Sequence, residues 1–279
     1  MSKYIFLATV ALIMLLPFFN PDTGKIKASK NLENNWPKDS VLVLSRSEYK
    51  EKLYGFWLGQ CIANWTGLVT EMDKIGNIGD IKTGNFYTME DWGKPDQPNI
   101  WSKDPSDLSL TIDFVFAGET DIWGSDDDTD IEYMYQYLHL VNNASILSGE
   151  QIRDGWLKHI KEEEENYIWV SNQTAFDLMQ KGIMPPATSL PENNPHYEMI
   201  DAQLTTEIFG LFAPGRPDIA LEIAKLPIRV TARFESEWIA KFYVIMHSLA
   251  SKETSHLTTR NKLRWMANKA RKILPNNSY

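Results

Sequence analysis

The sequence predicts an all-α fold whose helices form a compact orthogonal or bundle-like core. Apolar residues recur at three-and-four spacing in one segment after another. The connections between those segments are short. Capping residues and Pro/Gly stop signals fall at their ends.

The bulk properties suit such a core. At 279 residues, 43% hydrophobic and 23% charged, the chain can bury one substantial core or two modest ones. It is too apolar for a disordered chain, and 15 Gly with 14 Pro is far from a collagen-like composition. A formal charge of −9 argues against a general nucleic-acid surface while leaving room for a small basic patch. One cysteine, Cys61, excludes an internal disulfide framework and any cysteine-based zinc site. Its neighbours Leu58 and Ile62 predict a buried thiol.

Taken in order, Lys3 precedes an apolar run at residues 5–19. The run is shorter than the roughly 20 residues that cross a bilayer, and it suits the hydrophobic part of a signal peptide. Its small-residue cleavage pattern is poor. The expectation is an exported protein, with residues 1–19 either removed or kept as a short anchor in contact with a membrane. Residues 20–46 read as a polar linker with a short strand or packing segment at 41–44. A helix is expected from Ser47, with Leu53, Phe56, Trp57, Gln60, Cys61, Asn64 and Trp65 on one broad face. Gly55 and Gly59, one turn apart, suggest a close backbone approach. Residues 73–107 form a long irregular insertion carrying Trp92 and Trp101. Residues 108–117 read equally as a strand or a helix start.

From Asp126 a helix is expected with Ile131, Met134, Tyr135, Leu138 and Val141 inward. Ser148 with Gln151 has the form of a capping box, ahead of the stripe Ile152, Trp156, Ile160. Glu162 to Glu165 read as a solvated helix end, and Pro185, Pro186, Pro191 and Pro195 as a rigid connector. Ile200, Leu204, Ile208 and Leu211 suggest one helix stopped near Pro214. Ile219, Ala220, Ile223 and Ala224 begin another. Ile239, Phe242, Tyr243, Met246 and Leu249 mark a further inward face. A last helix carries Arg260, Lys262, Arg264, Lys269, Arg271 and Lys272. Its charge is explained either by the preference of helix C-termini for cations or by contact with a membrane or acidic partner.

The concentrated chemical signal is residues 120–130, where Asp126, Asp127 and Asp128 run consecutively before Thr129 and Asp130. Ser125 with Asp128 three residues later reads as a helix start, where acids are favoured by exposed amides. Density is what capping leaves unexplained: adjacent carboxylates repel unless solvent, a base or a cation neutralises them. Magnesium or calcium, which prefer oxygen ligands, would do so. An EF-hand does not fit, because Ile131 stands at the turn-glycine position. Glu71, beyond the glycine-containing helix, would orient or deprotonate a water if that helix end lay beside the aspartates. The histidines lack a zinc pattern, and no nucleophile elbow, phosphate loop or dinucleotide fingerprint occurs.

Three segments, EKLYGFWLGQCIANWTGLVTE at 51–71, WGSDDDTDIEYMYQYL at 123–138 and DAQLTTEIFGLFAPGRPDIALEIA at 201–224, together resemble the ADP-ribosylglycohydrolase family. The resemblance spans about residues 47–250 of a domain drawn at 47–279. It implies a compact helical domain with a two-magnesium site that cleaves the bond to ribose C1 in ADP-ribosylated proteins or small molecules. Asp126, Asp127, Asp128 and Thr129 fall on the family's first metal motif, with aspartate where the family has threonine at the first position. Glu71 falls on its acidic residue, and Gly59-Gln60 replaces its usual Gly-Asp. Asp201, Ala202 and Gly210 lie where the family has a substrate-facing segment, which makes Asp201 a candidate ligand-binding residue. The family's second aspartate cluster has no counterpart after Asp130. The expectation is therefore an incomplete domain, either the first part of a longer family protein or a degenerate member. Two functions follow: a magnesium-dependent hydrolase, or a catalytically silent binding module on the same fold.

Overall fold

The computed structural model describes residues 43–68, 77–78, 81–82, 89–95, 111–112, 126–161, 168–252, 256–272 and 274–275. Several expectations lie outside these residues: the apolar run at 5–19, Glu71, Trp101, Ser125 and the acidic run from Glu162 to Glu165. Among the described residues the architecture is helical, with one two-residue antiparallel pair, β1 (Asn77–Ile78) and β2 (Ile81–Lys82). The chain packs as two compact units, Ser45–Asp126 and Asp127–Tyr279 with Met1–Leu44.

In the first unit, α1 (Arg46–Leu68) begins with a reciprocal cap. The Glu48 N–H donates to Ser45 Oγ at 3.1 Å, and the Ser45 N–H donates to Glu48 Oε2 at 3.0 Å. This satisfies two of the amides that a helix start leaves open. Phe56 is buried and Trp57, Gln60, Cys61 and Asn64 are half-buried, as the periodicity requires. Three expectations need correcting here. Val43 is 85% exposed and no strand forms at 43–44, because nothing pairs with that segment among the described residues. The thiol of Cys61 is half-buried, since Leu58 and Ile62 beside it face solvent. Gly55 and Gly59 have nothing within 4 Å of a Cβ position, so no close approach occurs there among the described residues. Farther along, Gly93 and Lys94 pair with the buried Ile112 through backbone hydrogen bonds of 2.8 and 2.9 Å.

The second unit holds α2 (Asp127–Val141), α3 (Gly149–His159), α4 (Val170–Gln180), α5 (Asp201–Thr205), α6 (Ile208–Phe212), α7 (Pro217–Ile228), α8 (Phe234–Ala250) and α9 (Thr259–Arg271). Helix α8 is the hub and packs against α5, α6, α7 and α9. Helix α2 buries Ile131, Met134, Tyr135 and Leu138, whereas Val141, its final residue, is 52% exposed. The Ser148–Gln151 capping box forms with both bonds, at 2.9 and 3.1 Å, and Ile152, Trp156 and Ile160 are buried as its position predicts.

Two helical readings change. The stretch from Ile200 to Leu211 is two short helices, α5 and α6, broken at Thr206 and Glu207, with Ile200 left exposed. The break coincides with a side-chain bond: the buried Glu132 of α2 accepts the Ile208 N–H at 2.7 Å and so serves the start of α6. On α8 the buried face is Ala240, Val244, Ile245, Ser248 and Leu249, while Ile239 is exposed and Phe242, Tyr243 and Met246 are half-buried. Ala240 and Ser248 share that face with the larger Ile245 and Leu249, and the backbone of α6 comes close at Gly210. Glu237, at the head of that face, accepts from Arg229 at 3.1 Å and pairs with Lys241. Burial pushes its carboxyl up, but the Lys241 and Arg229 charges overcome this and hold it below the usual range.

Candidate functional site

Helix α2 opens at Asp127, so Asp126 stands immediately before the first helical residue. Asp127, Asp128 and Asp130 fill the first turn, where exposed amides favour negative charge. Asp126, Asp127 and Asp128 are each half-buried and Asp130 is exposed.

Within the first unit, Asp126 is held from α1. With its amide oriented to satisfy both groups, Asn64 donates Nδ2–H to Asp126 Oδ2 at 3.1 Å and accepts the Asp126 N–H at 3.3 Å. This clasp uses the side chain that the Asn64-Trp65-Thr66 triplet would otherwise offer to a glycan. Burial and then the Asp126 charge push the Cys61 thiol up, which keeps it protonated and unreactive.

Asp127 and Asp128 are successive helical residues, and such neighbours point about 100° apart. Among the described residues no group of three or more His, Cys, Asp or Glu side chains converges to hold a metal. Glu71 lies outside the described residues.

Asp201 is 2% exposed and opens α5. Its Oδ1 accepts the Asn172 N–H, in the first turn of α4, at 3.3 Å. Burial raises the carboxyl's pKa, opposed by the nearby Ser171 hydroxyl, the backbone amides and His196. Asp201 Oδ2, Ser171 Oγ and both polar atoms of the Asn172 side chain are buried without a hydrogen-bond partner. Ser171 thus favours the charged carboxylate by proximity, without a bond of normal geometry. What the arrangement does is join the starts of α4 and α5 through a carboxylate closed off from solvent.

Two buried groups escaped the sequence reading. Glu132 sits beside Ile131 and three residues before Tyr135, so its place at the edge of the α2 stripe was the available signal. The other is His139, four residues after Tyr135 on the same helix. Its Nδ1 bonds the Ala144 carbonyl at 2.7 Å, its ring meets Phe209 and Phe212 edge-on, and Nε2 is buried without a partner. Burial holds the ring's pKa below the ordinary 6.5. His247 is pushed down to about 4, again by burial. The Glu207 carboxylate, 3.6 Å from its Nε2, pulls the other way, and the side chain keeps 30% exposure. The downward direction rests on packing, and full charging of His247 would be eased by Glu207.

Both rings take up a proton less readily in the fold than in an unfolded chain, so below pH 6.5 the unfolded chain binds more protons there. Stability is complete above that pH and is lost as pH falls toward the folded values. Asp201, whose folded pKa is raised, works in the opposite direction, and Glu237 adds to the loss only near its ordinary 4.5 and below. Thermal melts should therefore fall steadily from pH 7 to 5, and His139→Phe should make the fall shallower, with His247 still contributing to it. A wild-type melting temperature independent of pH over that range would refute this account.

Comparisons with protein-family models, with curated proteins and with solved structures give no match for this chain.

Proposed function

We propose that the chain hydrolyses, with magnesium, the bond between ADP-ribose and a protein side chain or related acceptor, on an ADP-ribosylglycohydrolase-like fold. The observation that carries the reading is the helix start itself, with Asp127 and Asp128 half-buried in the first turn of α2 directly after the clasped Asp126.

In this reading Asp127 and Asp128 hold the ion, and Asp126 is the third carboxylate of the motif. Bound there, magnesium would supply positive charge to polarise the ribose hydroxyls and position a water. Glu71 takes a proton from the attacking water or gives one to the leaving group. The carboxylate oxygens also stabilise positive character developing at ribose C1 as its bond to the acceptor breaks. Export through residues 5–19 would place the reaction on extracytoplasmic substrates.

A catalytically silent binding module is the second reading. It is favoured by the lack of a second aspartate cluster after Asp130 and by the lack of three convergent ligands among the described residues.

Calorimetric titration with magnesium separates the parts of the proposal. Wild-type chain should give a saturable heat that the Asp127→Ala, Asp128→Ala double variant lacks. The variant should remain folded, because removing a first-turn acid costs only about 0.3–1 kcal/mol each. Indistinguishable traces would reject the metal site. Magnesium-dependent release of ADP-ribose from modified arginine or serine peptides tests the activity, and binding without turnover above a metal-free control would select the silent module.

A further inference from the structure

Helix α9 has a surface that nothing in the proposed reaction uses. Between Thr254 and Tyr279 the sequence contains no acidic residue, yet it holds Arg260, Lys262, Arg264, Lys269, Arg271 and Lys272 in a chain of net charge −9. Met266 and Ala270, one turn apart, are the buried residues of α9, which packs against α8. Arg260, Leu263, Arg264, Ala267 and Arg271 recur at i, i+3, i+4, i+7 and i+11, so they share a neighbouring face. Arg260, Arg264, Lys269, Arg271 and Lys272 are exposed, and Leu263 is 50% exposed among them. The ion pairs formed among the described residues involve none of Arg260, Lys262, Arg264, Lys269 or Lys272.

Helix-end electrostatics explain Lys269, Arg271 and Lys272, which lie at the C-terminal turn. They do not explain Arg260, Lys262 and Arg264, which stand in the first two turns, where the helix dipole opposes positive charge. Like charges at i, i+4 also repel by about 0.2–0.5 kcal/mol per pair. A sequence that keeps cations at both ends of one helix, with an exposed leucine between them, is organised for an extended negative surface.

We propose that the exposed basic face of α9 docks on an anionic phospholipid surface, with the cations over headgroup phosphates and Leu263 at the acyl boundary. A bilayer suits the face better than a folded acidic protein: the cations run the length of the helix, and the apolar element is a single side chain with no groove around it. No described helix is long and apolar enough to cross a membrane.

The test is partitioning of the full chain between buffer and two vesicle types, phosphatidylcholine alone and phosphatidylcholine with phosphatidylglycerol. The apolar run at 5–19 would favour both vesicles alike, so the readout is the ratio between them. Wild-type chain should prefer the anionic vesicles, and added salt should weaken that preference. Each cation near such a surface contributes roughly fivefold, equivalent to about 1 kcal/mol. The Arg260→Gln, Arg264→Gln, Arg271→Gln variant, which neutralises the cations of that one face, should then lose roughly a hundredfold of the preference. It leaves Met266 and Ala270 untouched, and an unchanged melt shows that α9 is still seated. Equal partitioning on both vesicles, a preference insensitive to salt, or a folded variant that binds like wild type would each overturn the proposal. So would salt-dependent binding of DNA, lost in the variant, by a chain that ignores anionic vesicles.

Discussion

Gly210→Ala is expected to destabilise the fold by about 3 kcal/mol, at the upper end of what an overpacked methyl costs. In isolation the same change would help, because alanine in a helix is worth about 1 kcal/mol over glycine. The surroundings of α6 reverse the sign. A Cβ on Gly210 would stand 2.5 Å from the Val244 carbonyl oxygen, 2.6 Å from His247 Cβ and 2.8 Å from the Ser248 nitrogen. Two of these are backbone atoms of α8 and cannot rotate away, so the helices must separate. Separation strains the bonds that hold them: Ser248 Oγ donates to the Ala213 carbonyl at 2.6 Å, and the Gly215 N–H donates to the Ser248 carbonyl at 2.8 Å. For a chain of this size the loss corresponds to a melting temperature lower by roughly 6–12 °C.

Two other glycines make the comparison decisive. At Gly155 the new methyl would meet the end of the Leu138 side chain, which can change rotamer, so Gly155→Ala should cost less than Gly210→Ala. At Gly59 a Cβ meets nothing, so Gly59→Ala should be neutral or stabilising by up to about 1 kcal/mol. The three melts should rank in that order. A Gly210→Ala protein as stable as wild type would show that α6 and α8 are not in backbone contact.

These pairs of helices also mark where sequence patterns stop being informative. Local signals translated directly. The Ser148–Gln151 cap needs only residues three apart, and the buried set Ile131, Met134, Tyr135 and Leu138 needs only the helical period. On α8 the same period pointed to Ile239, Phe242, Tyr243, Met246 and Leu249, yet of these only Leu249 is buried, beside Ala240, Val244, Ile245 and Ser248. Hydrophobic size alone does not set the phase of the face there, because the close approach of α6 at Gly210 needs small side chains at that contact, whereas Ile245 and Leu249 are buried elsewhere on the same face. The break between α5 and α6 was equally hidden. It is served by Glu132, 76 residues away, and no window of sequence contains both groups.

The candidate site divides in the same manner. Three consecutive aspartates at a helix start were legible from their density alone. The clasp of Asp126 by Asn64 was not, since Asn64 read only as a member of the inward face of α1. Asp201 was singled out by resemblance, while its burial and its bond to the Asn172 amide depend on α4 meeting α5. The carboxylate is enclosed where α4 and α5 meet, and burial raises its pKa.

Trp156→Ala should be the more damaging substitution, at about 3–5 kcal/mol and a melting temperature lower by roughly 6–20 °C. Trp156 is 1% exposed on α3, and its Nε1–H donates to the Tyr135 hydroxyl at 3.2 Å. Tyr135 is likewise 1% exposed, with Phe209 of α6 tilted against its ring at 5.3 Å. The indole thus links α3 through α2 to the helix whose start Glu132 serves. Truncation removes its buried surface, leaves a cavity, and strips the Tyr135 oxygen of a donor in a place where burial already raises the phenol's pKa. Trp156→Phe keeps most of the ring and forfeits the hydrogen bond, so it isolates a smaller penalty of about 1–3 kcal/mol. Melts of both variants, read by near-ultraviolet circular dichroism, separate packing from polar loss. If the alanine protein melted no lower than the phenylalanine protein, the indole would not fill the space between α2 and α3, and the linkage from α3 to α6 would have to be abandoned.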